Sequence, residues 1–118
     1  MPLGPDNESV WTPRADVFLN STGEFTVKVE LAALRREDLE ISCEGRRLSI
    51  AGRRPDTDRE EVDCKCKYME SAISWGWFAL AVEVPEDFDI AKASAKYQNG
   101  LLRIIVPPKG WRRGAKED

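Results

Sequence analysis

Histidine is absent from this sequence. Its absence excludes imidazole acid–base catalysis, histidine-containing triads and most mixed zinc sites. Long apolar runs are also missing, since none approaches the ~20 residues that a membrane-spanning helix needs. No glycine-rich loop of the kind that binds phosphates is present. We therefore expect a protein that is not an enzyme, holds no cofactor or metal and does not span a membrane.

Neither sign of charge is in large excess. The sequence has 18 basic and 21 acidic residues, and its formal net charge is −3. A chain this close to balance has no broad cationic surface, so we expect no nucleic-acid partner. The N-terminus has no basic stretch followed by an apolar one and does not resemble a signal peptide. The three cysteines are an odd number without the spacing of a disulfide framework, which favours a cytoplasmic location.

Alternation of apolar and polar residues predicts short strands rather than helices. The clearest case is 24–31, whose apolar side chains all fall on one face. The segment 75–84 is apolar on both faces, which indicates a central strand or one covered by a partner. Residues 32–37 are too few for a stable helix and predict a single helical turn. The predicted strands span 16–19, 24–31, 38–43, 48–52, 62–68 and 75–84.

The last two strands are predicted from a turn. Asn99-Gly100 separates two strand-like runs, and this dipeptide favours a type I′ hairpin because both positions need positive φ. Pro107 and Pro108 then end the second run, since proline has no N–H to donate to a sheet. Short antiparallel strands without a convincing helix predict an all-β fold, an antiparallel β-sandwich in a single domain.

The order of these segments resembles the α-crystallin domain of small heat shock proteins. A Trp and a Pro precede an Asp-Val pair, a Tyr precedes a Gly-x-Phe element, and the most diagnostic stretch is Ala-x-x-x-Asn-Gly-x-Leu-x-Ile-x-Val-Pro. Several such pieces in the right order are far more specific than any one of them. In this sequence they are Trp11, Pro13, Asp16-Val17, Val27-Lys-Val29-Glu-Leu31, Arg36-Glu-Asp38-Leu39-Glu-Ile41, Leu48-Ser-Ile50-Ala-Gly52-Arg53, Tyr68, Gly76, Phe78, Ala95, Asn99-Gly100-Leu101-Leu102, Ile104 and Val106-Pro107.

The resemblance implies an immunoglobulin-like β-sandwich and an ATP-independent holdase that binds partly unfolded proteins and limits their aggregation. It implies residues 1–10 as a flexible arm, 11–108 as the α-crystallin domain and 109–118 as a tail. It also implies a homodimer, because in bacterial, archaeal and plant relatives a strand inside a long loop crosses to the partner subunit. Here that loop runs over about 53–75, and the predicted strand 62–68 is the candidate for exchange.

The same resemblance supplies candidate site residues. A groove between the strand 38–43 and the strand before Asn99 is the family's peptide-binding groove, and it implies Leu39, Ile41, Cys43 and Ser94 as residues that contact clients. The exchanged strand and the strand after the loop imply a dimer interface. Tryptophans act as interface anchors, but alternation alone does not separate an interface from a core. The interface candidates are Val62, Cys64, Cys66, Tyr68, Trp75, Trp77 and Leu80.

The chain departs from the family pattern at both ends. Only about ten residues precede Trp11, where relatives carry a long apolar arm. The segment 109–118 contains no Ile-x-Ile or Ile-x-Val tag, and the Ile104-Ile-Val106 letters belong to a strand. We therefore expect a dimer or small oligomer. Two alternatives use the same sandwich: a non-chaperone adaptor resembling the CS domains of co-chaperones, and an accessory subunit of a longer small heat shock protein.

The cysteines allow two interpretations. Cys64 and Cys66 fall on one face of the predicted strand 62–68, so their sulfurs point to the same side. Two chains together would then offer four thiolates to a soft metal ion or to redox chemistry. Free cysteines are usually small packing residues, and we expect that role for this pair and for Cys43.

Overall fold

A computed structural model describes residues 9–110 of the chain. The regular structure within that range is almost entirely strand. The strands are β1 Ala15–Leu19, β2 Phe25–Glu30, β3 Leu39–Glu44, β4 Arg47–Arg54, β5 Gly76–Glu83, β6 Ser94–Gln98 and β7 Leu101–Val106. Two short 3₁₀ turns accompany them, Arg36–Asp38 and Ile90–Lys92. Most of the predicted arm 1–10 and of the predicted tail 109–118 lies outside the described residues.

The strands form two antiparallel sheets, which confirms the predicted β-sandwich. A four-stranded sheet has the order β1-β2-β7-β6, and a three-stranded sheet has the order β3-β4-β5. The registers place Val27 beside Ile104 in the first sheet and Ile50 beside Ile41 and Leu80 in the second. The alternation in the sequence therefore marks the inner faces of both sheets correctly.

One apolar core fills the space between the sheets. Most of its members are inner-facing side chains of β2, β4 and β7, the strands with a neighbouring strand on both sides. Phe78 of β5 joins them, as do Leu31 and Val84, which directly follow β2 and β5. Burying a side chain of this size contributes roughly 1.5–3 kcal/mol. The apolar residues with almost no exposed surface are Val27, Val29, Leu31, Leu48, Ile50, Phe78, Val84, Leu102, Ile104 and Val106.

The β6–β7 hairpin has the turn that its sequence predicts. Asn99 and Gly100 adopt φ values of 56° and 77°, as a type I′ turn requires. The turn is also docked, since Leu31 N–H donates to the Gly100 carbonyl at 2.8 Å. A Cβ at position 100 would lie 3.3 Å from Ala32 Cα, so both the turn geometry and this close approach favour glycine.

Two predicted elements differ in the structure. Residues 62–68 are not a strand in the single chain: they form irregular, exposed structure, and Asp63 has a φ of 59°. A lone strand cannot satisfy its backbone groups without a neighbour, and none of the described strands lies beside this segment. The strand β5 is at a sheet edge rather than central. Trp11 pairs with the outer edge of β5, opposite Phe78.

Candidate interaction surfaces

A groove lies between β3 and β6, the edge strands of the two sheets. Leu39 and Ile41 face the sandwich interior, since they lie opposite Gly52 and Ile50 in the sheet register. Ile41 is nevertheless 36% exposed, because the opposite sheet does not extend over this edge. The cavity has a volume of about 180 Å³ and is lined by Arg36, Leu39, Ile41, Ala95, Lys96, Tyr97 and Leu102.

The structure separates the four predicted groove residues. Leu39 and Ile41 line the cavity. Ser94 lies opposite Ile105, on the outer face of β6, and does not line it. Cys43 is exposed near the end of β3, outside the lining, so the expected burial of this thiol is wrong for the single chain.

Strand β6 supplies one wall of the groove through Ala95 and Tyr97. The sequence did not identify these two residues as part of the groove. Ala95 and Tyr97 lie opposite Ile104 and Leu102, and they therefore share the inner face. The Tyr97 hydroxyl donates to the Leu31 carbonyl, which fixes the ring at the groove wall. Alternation along β6 was the available signal, since an inward Ala95 places Tyr97 inward and Ser94 outward.

A braced turn forms the rim of the groove before β3 begins. Arg35 N–H donates to Asp38 Oδ2 at 3.1 Å, and the Arg35 side chain reaches the other carboxylate oxygen at 3.3 Å. These hydrogen bonds from Arg35 hold the pKa of the Asp38 carboxyl below its ordinary value. The brace is therefore complete above the unfolded-state pKa of Asp38 and weakens as the pH falls through the lowered value.

The long loop, residues 55–75, is organised around Asp56. This carboxylate is only 6% exposed. Its Oδ1 accepts from Asp58 N–H at 3.1 Å, and its Oδ2 accepts from the Tyr68 hydroxyl at 3.0 Å. Arg59 completes the group, since its Nε lies 3.4 Å from Asp56 Oδ2 and its guanidinium stacks over the Tyr68 ring at 4.0 Å. Loss of water contact and the hydrogen bond to Asp56 raise the pKa of the Tyr68 hydroxyl.

Beyond this group, the loop presents apolar side chains to solvent. Val62 is 87% exposed, Met69 90% and Ile73 61%. Cys64 and Cys66 are exposed as well, so the expectation that they pack on a buried face is wrong for the single chain. Side chains of this kind on a charged loop are a surface that a second protein chain can cover.

The loop is attached to the sandwich at its two ends by Arg54. The Arg54 guanidinium lies 4.6 Å from the Trp11 ring centroid and 5.3 Å from that of Trp75. It also donates to the Ser74 carbonyl at 3.0 Å through Nε and to the Ala32 carbonyl at 3.2 Å through Nη1. Trp75 is therefore half-buried against its own chain.

The other two predicted interface residues of β5 point to opposite faces. Trp77 lies opposite Arg53 on the outer face, and the Arg53 guanidinium is 5.9 Å from its ring centroid. Leu80 lies opposite Ile50 on the inner face and packs against the core. The sequence left open whether these side chains are buried in a dimer interface or in the core. Within the single chain, Leu80 packs against the core.

Replacing Arg54 by alanine is expected to lower the free energy of unfolding by about 1–2 kcal/mol, the combined size of two ring contacts and the charged hydrogen bonds. Arg54→Lys should recover only a small part, because an ammonium lacks the planar fork that stacks and donates to two carbonyls. Denaturant unfolding followed by tryptophan fluorescence measures both. Arg47→Ala, at the exposed far end of β4, is the matched control, and a fully stable Arg54→Lys protein would contradict the stacking account.

The edge strand β1 carries a second uncovered apolar surface. Val17 and Leu19 lie opposite Val27 and Phe25, both buried on the inner face. Yet Val17 is 48% and Leu19 60% exposed, since the three-stranded sheet is too narrow to cover this edge of the four-stranded one. The outer edge of β1 also presents backbone groups that no described strand pairs with. Such an edge is a template for a strand from another chain.

Metal-binding clusters were sought among residues 9–110, and no group of three or more cysteine or carboxylate side chains there is arranged to hold an ion. In the same part of the chain, no helix has the length and apolarity to cross a bilayer. Within residues 9–110, the candidate interaction surfaces are the β3–β6 groove, the exposed loop 55–75 and the open edge of β1.

Known proteins resemble this chain in sequence. The sequence model described as "Hsp20/alpha crystallin family" matches residues 17–117. The chain is 33% identical over 101 residues to a heat shock protein of Dictyostelium discoideum, covering 85% of this chain and 23% of that protein. It is 31% identical over 97 residues to the small heat shock protein IbpB of Escherichia coli, covering 82% of this chain and 63% of that one. The chain thus spans less than two thirds of either relative's length.

Solved structures show the same fold. HSP18.5 from E. histolytica superposes with a TM-score of 0.73 at 17% identity, covering 92% of this chain and 99% of that one. The hspA protein from Xanthomonas axonopodis gives a TM-score of 0.72 at 23% identity, covering 86% and 97%. Because the family model spans nearly the whole described chain and these structures share its sandwich, the chain belongs to the Hsp20/alpha crystallin family of small heat shock proteins.

Proposed function

We propose that the protein is an ATP-independent holdase, a chaperone that binds partly unfolded proteins and limits their aggregation. The observation that carries the proposal is the groove between β3 and β6, whose inner-facing Ile41 remains 36% exposed. Apolar side chains that face the interior of a sandwich but stay open to solvent gain free energy when a client covers them, at roughly 25 cal/mol per Å². No nucleotide chemistry is needed for that step.

The groove suits an extended client segment. The facing edges of β3 and β6 each bond to only one neighbouring strand, β4 and β7 respectively, so backbone groups are available beside the apolar lining. Extended peptides bind such edges through main-chain hydrogen bonds, and alternate side chains enter the groove. Residues Leu39, Ile41 and Tyr97 then form the apolar wall, while Cys43 and Ser94 lie at its periphery.

We also propose a homodimer in which each loop covers the β1 edge of the other subunit. Val17 and Leu19 supply the uncovered apolar surface on β1, and Val62, Tyr68 and Met69 supply apolar side chains on the loop. On pairing, the segment 62–68 gains the backbone partner that it lacks in the single chain. In this homodimer, the exchanged strand that the family resemblance implies pairs with β1 of the other subunit.

The partners of the protein are then a second copy of itself, unfolding clients and, in a mixed assembly, a longer small heat shock protein. We propose a cytoplasmic location, which the three free cysteines favour. We propose no enzymatic reaction, since the binding mechanism rests only on apolar burial. The dimer and the client groove use different edges, so each can be tested without disrupting the other.

Replacing Ile41 by aspartate is expected to reduce the suppression of client aggregation severalfold, because a charge at the groove wall opposes burial of an apolar client segment. Ser42→Asp places the same charge on the outer face of the same strand and is the matched control, expected to keep activity. Light scattering of a heat-unfolding client, at several protein-to-client ratios, measures both. Equal activity of the two variants would place client binding elsewhere.

The proposal as a whole is tested by aggregation suppression with and without ATP, on a sample whose particle mass is measured in parallel. We expect suppression that ATP does not change. No suppression at a severalfold molar excess would favour the adaptor function, and a monomeric particle would count against the exchanged loop. A hetero-oligomer formed on mixing with a longer small heat shock protein would favour the accessory role.

A further inference from the structure

Cys64 and Cys66 lie together on a bent, solvent-exposed part of the loop. Cys64 N–H donates to the Glu61 carbonyl at 3.1 Å, and Asp63, the residue before Cys64, has a positive φ of 59°. Cys66 N–H then donates back to Cys64 Sγ at 3.4 Å. A side chain that accepts from the backbone two residues on bends the chain, as in an Asx turn. Both thiols are free and exposed.

We propose that Cys64 and Cys66 form a reversible intrachain disulfide on reaction with a hydroperoxide, and that this bond keeps the loop out of the exchanged-strand conformation. The proposal makes the pair a redox modification site that controls dimerisation. It rests on the exchanged loop proposed above for its effect on assembly, whereas formation of the bond stands on the geometry of the pair alone.

The disulfide bond and the exchanged-strand conformation exclude each other, because they need different distances between the Cβ atoms of Cys64 and Cys66. In a β-strand, residues i and i+2 point the same way and are separated by two rises, about 6.6 Å between their Cβ atoms. A disulfide requires about 3.5–4.5 Å between Cβ atoms. A strand that spans 62–68 therefore cannot contain the bond, while the bent loop of the single chain already turns Cys66 back toward Cys64.

The hydrogen bonds assign different chemistry to the two sulfurs. Cys64 Sγ accepts a hydrogen bond from Cys66 N–H at 3.4 Å, whereas the Cys66 thiol donates to the Asp58 carbonyl at 3.8 Å. The hydrogen bond with the Cys64 side chain also raises the pKa of the Cys66 thiol above its ordinary value. Cys64 is accordingly the attacking sulfur and Cys66 the resolving one.

The reaction balances with a hydroperoxide as the two-electron oxidant. The Cys64 thiolate attacks one peroxide oxygen, the O–O bond breaks, and a sulfenic acid forms with release of hydroxide (or alkoxide). The Cys66 thiol then displaces the sulfenic oxygen as water and forms the S–S bond. Two thiol hydrogens are lost in total, and the peroxide is reduced. A small exposed disulfide of this kind is readily reduced again by cellular thiols, so the modification is reversible.

The test uses the full chain carrying Cys43→Ser, so that only the pair can react. The reduced and the hydrogen peroxide-treated proteins are compared by native particle mass, by intact mass under denaturing non-reducing conditions and by tryptic peptides. Trypsin cuts after Lys65, so a bond between the two cysteines links the peptides 60–65 and 66–67. We expect that link in a chain of monomer mass, a twofold fall in native particle mass, and full reversal by dithiothreitol.

The control is the protein with Cys64→Ser and Cys66→Ser added, which should keep its native mass in peroxide. Covalent dimers under denaturing conditions, unreacted thiols, or an intrachain bond in a particle of unchanged dimer mass would each overturn the proposal. A reduced protein that is already monomeric would count against the exchanged loop instead. In that case the peptide link and the denatured mass still decide whether the disulfide site exists.

Discussion

Replacing Gly52 by alanine is expected to lower the free energy of unfolding by about 3 kcal/mol, the upper end for overpacking a core. A Cβ at this position would lie 2.1 Å from the Asp38 carbonyl oxygen and 2.7 Å from Phe78 Cζ. The first contact is with backbone, so rotation of a side chain does not relieve it. The turn that forms the groove rim and the aromatic ring at the centre of the core would both have to move.

Equilibrium denaturation measures this cost, and Gly45→Ala is its control. Gly45 lies in the β3–β4 turn with a φ of 61°, and a methyl group added there would meet no atom within 4 Å. Its substitution should cost about 1 kcal/mol, from backbone strain alone. If the two variants lose the same stability, close packing at Gly52 is not the reason for its glycine. Because Asp38 forms the groove rim, Gly52→Ala should also weaken client binding.

Replacing residues 57–71 with a Gly/Ser linker of equal length is expected to convert the dimer into a folded monomer. The linker removes the apolar side chains offered to β1, including Val62 and Met69, and removes the preference for a defined strand. It keeps Arg54, Ser74 and Trp75, so the attachment of the loop ends is unchanged. Particle mass should fall twofold, measured by light scattering after size exclusion.

The matched measurement is the fold of the same variant. Far-ultraviolet circular dichroism and the unfolding midpoint at a concentration where the parent is monomeric should be unchanged, since the core cluster of the described residues draws no member from 57–71. A linker variant that remains a dimer would show that another surface holds the subunits together. The outer face of β5 around Trp77 would then be the next candidate.

The strands could be located from the sequence because their alternation is a local property. Glu24 to Leu31 and Leu101 to Val106 have inner and outer faces that can be assigned residue by residue, and the Asn99-Gly100 turn fixes the register between β6 and β7. Local patterns of this kind do not depend on which strands become neighbours. The sandwich and its core followed from them.

The sequence could not show which inward-facing side chains the opposite sheet covers. Ile41 and Val17 alternate like core residues and face inward, but they are exposed because each lies on an edge strand beyond the reach of the opposite sheet. The pairing of Trp11 with β5 links residues far apart in the chain and leaves no local pattern. Residues 62–68 have strand-like alternation, yet a strand also needs a neighbour, and alternation does not report one.

The arrangement of Trp11 and Trp75 around the Arg54 guanidinium has an optical consequence. Three of the four tryptophans, these two and Trp77, surround the point where the long loop leaves and rejoins the sandwich. Their emission spectrum therefore depends on whether water or a cation touches the indole faces there. Intrinsic fluorescence becomes a label-free signal for movement of the loop, which permits exchange between subunits to be timed in a stopped-flow instrument without any added dye.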